Sequence, residues 1–88
     1  MIIKGRIISL GEVVGQPGMQ KQDVVVEYPC DPENYKTVTL HVCGDERVKN
    51  LQRFKVGTRV IVELRGVWWL VMKDDTGYNV VMADSIEM

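Results

Sequence analysis

One short stretch of this 88-residue chain has the periodicity of a helix, and its position constrains the fold more than any other feature. Within Asp45–Phe54, apolar residues recur at every third position from Val48, and the residues between them are polar. Asp45 is a suitable N-cap, and Glu46 complements the positive end of the helix dipole. The pattern therefore predicts a short helix with one apolar stripe.

Runs typical of β-strands surround this segment, three before it and two after it. The expected strands are Met1–Leu10, Lys21–Tyr28, Tyr35–Cys43, a run that begins near Arg59 and continues through Val67–Met72, and Tyr78–Glu87. Gly5 is expected to mark a bulge or bend, which would let the first strand pair with two neighbours. Lys73–Gly77 is expected to form the last hairpin turn. This order predicts an all-β fold, a five-stranded Greek-key OB-fold barrel with one short helix between strands 3 and 4.

Length and composition predict a single globular domain over residues 1–88. Apolar residues make up 45% of the chain and charged residues 26%, which is ordinary for a folded domain. The longest apolar stretch, Gly66–Met72, is too short to span a membrane, and Lys4 and Arg6 interrupt the first apolar run, so no signal peptide is expected. Two cysteines do not make a disulfide framework, so a cytoplasmic location is expected.

The overall charge argues against simple electrostatic binding of nucleic acid. The formal net charge is −1 at pH 7, and the sequence pI is about 5.7. Proteins that bind nucleic acid without sequence preference typically have a basic surface, because phosphate contacts release counterions. Any such function here requires local segregation of positive charge, or stacking of bases on aromatic side chains.

Short motifs occur along the chain in the order in which bacterial single-stranded DNA-binding proteins carry them. They are Gly5-Arg6-Ile7, Val42-Cys43-Gly44, the run Lys55–Val62, and Ala83-Asp84-Ser85-Ile86. A second set is similar to an uncharacterised family of small bacterial and phage OB-fold proteins related to those binders. That set comprises Lys21-Gln22-Asp23, Tyr28-Pro29 and Arg65–Trp69. The resemblance implies an OB-fold with single-stranded DNA binding, and it implies no established activity.

The chain departs from the single-stranded DNA-binding family in two respects. Members of that family usually carry a flexible tail with an acidic end that recruits partner proteins, whereas this sequence stops at Met88, directly after the last expected strand. Recruitment through such a tail is therefore not expected. Those proteins also place aromatic residues on the second and third strands, where this chain has Val25, Thr39 and His41.

The adjacent residues Trp68 and Trp69 are the strongest candidates for stacking. Adjacent strand residues point to opposite faces, so one indole is expected in the core and the other at the surface. A base stacked on an exposed aromatic ring contributes about 1–3 kcal/mol without sequence preference. Tyr78 lies across the same expected hairpin and could extend that surface. The alternative is that the exposed indole packs against the hairpin or a partner subunit.

A group of cations could form a basic track if the first and fourth strands are neighbours. These cations are Lys4, Arg6, Arg59, Arg65 and Lys73. Phosphate contacts require positive charge arranged in this way. The alternative is a solvated surface of mixed charge, because Glu63 and Asp74 occur nearby in the sequence.

His41 could stack on a base or be an ordinary exposed strand residue. With Cys43 and Cys30 it could in principle hold zinc. The chain has no Cys-x-x-Cys pair and no evident fourth ligand, so neither a metal nor another cofactor is expected. Asp74 and Asp75 are adjacent in a turn, and no nucleophile-base motif occurs, so enzymatic activity is not expected.

These observations predict a small OB-fold protein that binds single-stranded DNA by stacking and phosphate contacts, as a homodimer or higher oligomer and without a membrane association. The alternative is an OB-fold adaptor or oligomerisation module that docks on proteins and binds no nucleic acid. Near-neutral charge favours this alternative, as do Asp23 and Glu27 on the second strand.

Overall fold

The computed structural model describes residues 2–64, 70–77 and 85–87, with Leu64 and residues 85–87 described by their backbone only. The elements are β1 (Ile2–Leu10), β2 (Lys21–Pro29), β3 (Tyr35–Cys43), α1 (Asp45–Leu51), β4 (Arg59–Leu64), β5 (Leu70–Lys73) and β6 (Ser85–Glu87). The strands form one antiparallel sheet in the order β5-β4-β1-β2-β3-β6. Most of it is made by β1 to β5, and β6 adds three residues beside β3. No pairing within the described ranges joins β5 to β6, so the observed sheet is not closed.

The run expected to continue from Arg59 to Met72 is divided between two strands. β4 and β5 are antiparallel neighbours, with Leu64 opposite Leu70. The expectation of one continuous strand is therefore wrong. One strand was expected because both strands bury alternate residues. These are Val60 and Val62 on β4, and Leu70 and Met72 on β5. The alternation of a long strand and that of two paired strands look the same in a sequence.

β1 divides its pairing between two neighbours. Its first half, Ile2–Arg6, pairs with β4, and its second half, from Arg6 to Leu10, pairs with β2. Ile7 is opposite Val26 and Ser9 is opposite Val25, so two steps along β1 correspond to one step along β2. β1 therefore contains a β-bulge with one extra residue between Ile7 and Ser9. The expectation that the first strand pairs with two neighbours is confirmed. The bulge lies between Ile7 and Ser9, two to four residues after Gly5.

The backbone of β2 approaches Gly5 so closely that no side chain fits there. A Cβ atom added to Gly5 would overlap the carbonyl oxygen of Glu27 and would lie 2.9 Å from Cγ1 of Val26. Glycine at this position thus allows β1 to come near β2. On the other edge of β1, Gly5 pairs with Val60 of β4.

One apolar core joins the inner face of the sheet to the helix. Val48 and Leu51 of α1 are buried in it, which confirms the apolar stripe expected for the helix. The strand residues buried with them are Ile3, Ile7, Val24, Val26, Val38, Leu40, Val42, Val60, Val62, Leu70 and Met72. Among the described elements, the backbone of α1 lies nearest β2 and β3.

The two ends of the helix differ from expectation. α1 ends at Leu51 rather than Phe54, although Phe54 is buried and its N–H donates to the carbonyl of Leu51 at 3.0 Å. The N-cap is Gly44, whose φ of 110° is accessible chiefly to glycine, and no side chain caps the helix. The prediction of Asp45 as the N-cap is therefore wrong, because its carboxylate has other partners.

The carboxylate of Asp45 instead anchors the loop between β1 and β2. Its two oxygens accept the N–H groups of Gly18, at 2.5 Å, and of Gln20, at 3.1 Å. Gln22, whose side chain is buried, donates to the carbonyl of Gly11 at 2.8 Å and fixes the other end of the same loop. The bonds made by Gln20 and Gln22 are partly buried, where an unpaired polar group would be costly.

The turn between β2 and β3 is organised by Asp31. Its Oδ1 accepts the N–H groups of Glu33, at 3.0 Å, and Asn34, at 2.9 Å, and its Oδ2 accepts Nδ2 of Asn34 at 3.0 Å. The hydrogen bond from the side chain of Asn34 is the main cause that holds the pKa of Asp31 below its ordinary value, with the backbone N–H groups adding to it. This turn sets the register of β3 on β2, with Pro29 opposite Tyr35.

We expect an NMR titration to place the pKa of Asp31 below 3.8 and the Asn34→Ala variant to move it towards that value. Folding lowers this pKa, so its stabilisation of the turn is full above the unfolded-state pKa and is lost as the pH falls through the folded-state pKa. Asn50→Ala, which alters a helix residue, is the control. An unchanged Asp31 pKa in Asn34→Ala would contradict the assigned cause.

Candidate nucleic-acid interface

Three of the cations expected to form a basic track lie together on the outer face of the sheet. Lys4 and Arg6 alternate with the buried residues Ile3 and Ile7, so both point away from the core. Arg6 is directly opposite Arg59 in the pairing of β1 with β4. All three cations are exposed. The neighbouring positions of β1 and β4 bring them together.

These cations line an open groove of about 510 Å³, which we call the basic groove. Its other lining residues include Glu27, Pro29, Tyr35, Ile61 and Asp75. The groove crosses from β4 over β1 to the paired ends of β2 and β3. Its lining has three cations and two carboxylates, so positive charge exceeds negative charge there although the whole chain has a net charge of −1.

The electrostatic arrangement at the centre of the groove leaves Arg6 available to an anion. Nη2 of Arg6 lies 3.5 Å from Oε1 of Glu27, and the Arg6 side chain is 59% exposed. A bidentate pair would show two contacts near 2.8 Å, so this one is weak. Arg59 is directly opposite Arg6 in the pairing of β1 with β4. Like charges directly opposite one another destabilise a sheet.

Tyr35 is a candidate that sequence reasoning missed. It is 65% exposed and lines the basic groove beside Pro29, its partner in the β2–β3 pairing. The signal was present, because Tyr35 has the same strand phase as Thr37, Thr39 and His41 and therefore shares their outer face. Its nearness to Lys4 could not be inferred without the register of three strands.

His41 lies apart from the basic groove. It is opposite Asp23, and its Nδ1 is 2.8 Å from Oδ1 of that residue. Glu27, which lines the basic groove, is opposite Thr37 on β3. His41 is four residues beyond Thr37 on the same strand, a distance of about 13 Å. His41 borders a separate depression of about 540 Å³ near the loop between β1 and β2.

The sulfur and imidazole groups considered for zinc are not gathered. Cys30 directly follows β2, whereas Cys43 ends β3 opposite Lys21, so the two cysteines lie at opposite ends of the β2–β3 hairpin. Both are free thiols. In the part of the chain that the structure describes, no group of three or more histidine, cysteine or acidic side chains could hold a metal ion.

Four candidates, Arg65, Trp68, Trp69 and Tyr78, lie outside the described residues. Lys73 is described, and it lies opposite Ile61 in the pairing of β4 with β5. The expected turn at Lys73–Gly77 contains a hydrogen bond from the N–H of Gly77 to the carbonyl of Asp74 at 3.3 Å. The described surface therefore brings three of the predicted cations together, and it adds one exposed aromatic residue.

Exposed apolar residues also occur in the loop between β1 and β2. They are Val13, Val14 and Met19, of which Met19 is 75% exposed. No helix in the described ranges has the length and apolar character needed to cross a membrane. Comparisons of the chain with protein-family models, with curated proteins and with solved structures found no match.

Proposed function

We propose that this chain binds single-stranded DNA through the basic groove. The observation that carries the proposal is the gathering of Lys4, Arg6 and Arg59 with the exposed ring of Tyr35 in one open groove. A groove of positive charge that follows the backbone, combined with aromatic rings for the bases, is the usual composition of a single-strand binding surface.

The opposed arginines favour an anionic ligand. Arg6 and Arg59 occupy directly opposite positions of β1 and β4, an arrangement in which like charges repel, and the Arg6 contact to Glu27 is weak. A phosphate placed between the two guanidinium groups would relieve the repulsion and would accept hydrogen bonds from both. Lys4, two residues before Arg6 on the same face, would hold the next part of the backbone.

Stacking would supply the remainder of the affinity. Tyr35 would receive one base, with a contribution of about 1–3 kcal/mol. In this proposal Trp68, Trp69 and Tyr78 extend the stacking surface and Arg65 adds a phosphate contact. The proposed architecture is an OB-fold barrel. The divided pairing of β1, its bulge, and the single core shared by β1 to β5 support that architecture.

The test is a titration of a fluorescein-labelled oligo-dT of about 15 nucleotides, which is within the site size of such domains. We expect anisotropy to rise at micromolar protein and at low salt, and the affinity to fall as salt rises. Four phosphate contacts to a single strand, from Lys4, Arg6, Arg59 and Arg65, predict a slope of about −3 in the plot of log K against log salt concentration. Absence of binding at low salt would overturn the proposal.

A second function is favoured by the exposed apolar loop. Val13, Val14 and Met19 could dock on a protein or on a second copy of the chain, which would make this domain an adaptor or an oligomerisation module. Sedimentation in the buffers of the titration distinguishes the two functions. Salt-insensitive self-association, lost in Met19→Gln, together with no binding of oligo-dT, would favour this alternative.

A further inference from the structure

We propose that Glu27 makes the basic groove select strands that place a guanine on Tyr35. This inference rests on the proposed function and names the base that the groove prefers. Glu27 is one of two carboxylates in the lining of the groove and the one that contacts a cation of the groove, so its position needs a physical reason.

Glu27 is well placed to reach a base. It lies on the outer face of β2, with Arg6 opposite on β1 and Thr37 opposite on β3. Its side chain is 28% exposed, and it lines the same groove as Tyr35. Thr37, opposite Glu27, is the neighbour of Tyr35 on the same face of β3, so a base stacked on Tyr35 would lie about 7 Å from the row of the sheet that Glu27 occupies.

A purely structural role explains Glu27 poorly. Its contact with Arg6 involves a single pair of atoms, Nη2 and Oε1, at 3.5 Å. Exposed pairs of this kind contribute little to stability. In a groove that held phosphates only, the carboxylate would repel the ligand and weaken binding. Its presence is favourable if it accepts hydrogen bonds from the ligand.

The chemistry of the carboxylate selects the base. An ionised glutamate only accepts hydrogen bonds, and it has two oxygens to offer. Guanine presents two adjacent donors, N1–H and the N2 amino group, which match those two oxygens. Thymine has one donor between two carbonyl oxygens, and the carboxylate would repel both carbonyls. Inosine keeps N1–H and lacks the amino group, so it isolates the second hydrogen bond.

The experiment compares three labelled oligo-dT strands of equal length that carry guanine, inosine or thymine at one central position. We expect the chain to bind the guanine strand about tenfold more tightly than the thymine strand, as a good bidentate base contact provides. The inosine strand should fall between them. This comparison needs no variant, so it is independent of any effect of mutation on folding.

Glu27→Gln should change the two affinities in opposite directions. Removal of the negative charge should raise the affinity for the thymine strand several-fold, and loss of one acceptor oxygen should abolish the preference for guanine. Glu12→Gln is the matched control, because it removes the same charge from an exposed loop residue outside the groove. That variant should keep the preference for guanine.

The outcomes separate this inference from the function on which it rests. If none of the three strands binds at low salt, both are overturned. If all three bind equally well, single-strand binding stands and the role of Glu27 is overturned. The same conclusion about Glu27 follows if Glu27→Gln, shown by thermal melting to be folded, still prefers guanine.

Discussion

Replacement of Gly5 by alanine is expected to lower the melting temperature by about 12–24 °C, which corresponds to roughly 3 kcal/mol for a domain of this size. The added methyl group would overlap the carbonyl oxygen of Glu27 and would crowd Val26. Because one of these obstacles is backbone, no rotation of a side chain can relieve the overlap. β1 and β2 would have to separate where Arg6 pairs with Glu27, and hydrogen bonds of the sheet would be lost with the contact.

Gly57→Ala is the control for this prediction. Gly57 has φ of 95°, and a Cβ there would meet no atom within 4 Å, so its substitution tests backbone conformation without a steric clash. We expect it to cost about 1–2 kcal/mol, less than Gly5→Ala. The measurement is thermal unfolding followed by circular dichroism. A Gly5→Ala protein that melts no lower than the Gly57→Ala protein would contradict the close approach of β1 to β2.

The helix and the cations show what the sequence could establish. Spacing by three places Val48 and Leu51 on one face of a helix whatever the tertiary structure, and both are buried. Likewise, Lys4 and Arg6 share a strand face, and the expected strand order brings Arg59 beside them, as the structure shows. These inferences succeeded because each depended on local periodicity and one neighbour relation.

Other features depended on contacts that local patterns do not contain. The division of the run from Arg59 to Met72 into β4 and β5 leaves the alternation unchanged, so periodicity could not reveal it. Asp45 is of a residue type that is favoured at the N-cap, but its carboxylate accepts hydrogen bonds from the N–H groups of Gly18 and Gln20, which lie in a loop distant in sequence. Tyr35 entered the site only through the combined registers of β1, β2 and β3.

The basic groove can be tested most severely by neutralising its cations together. In the Lys4→Gln, Arg6→Gln, Arg59→Gln triple variant, we expect the slope of log K against log salt concentration to lose about two units and the affinity for oligo-dT at about 50 mM salt to fall by two to three orders of magnitude. Folding should be preserved, since the variant removes two like charges from opposite positions of β1 and β4 and, among the described residues, gives up one weak ion pair.

The matched control carries the same change of net charge at exposed lysines outside the groove, Lys21→Gln, Lys49→Gln and Lys55→Gln. If DNA is attracted by the groove, the control should keep the slope of the unmodified chain to within about one unit, because its lysines make no direct phosphate contact. If both triple variants lose affinity equally, the attraction is a property of overall charge. In that case the gathering of Lys4, Arg6 and Arg59 would have no role in binding, and the proposal would be wrong.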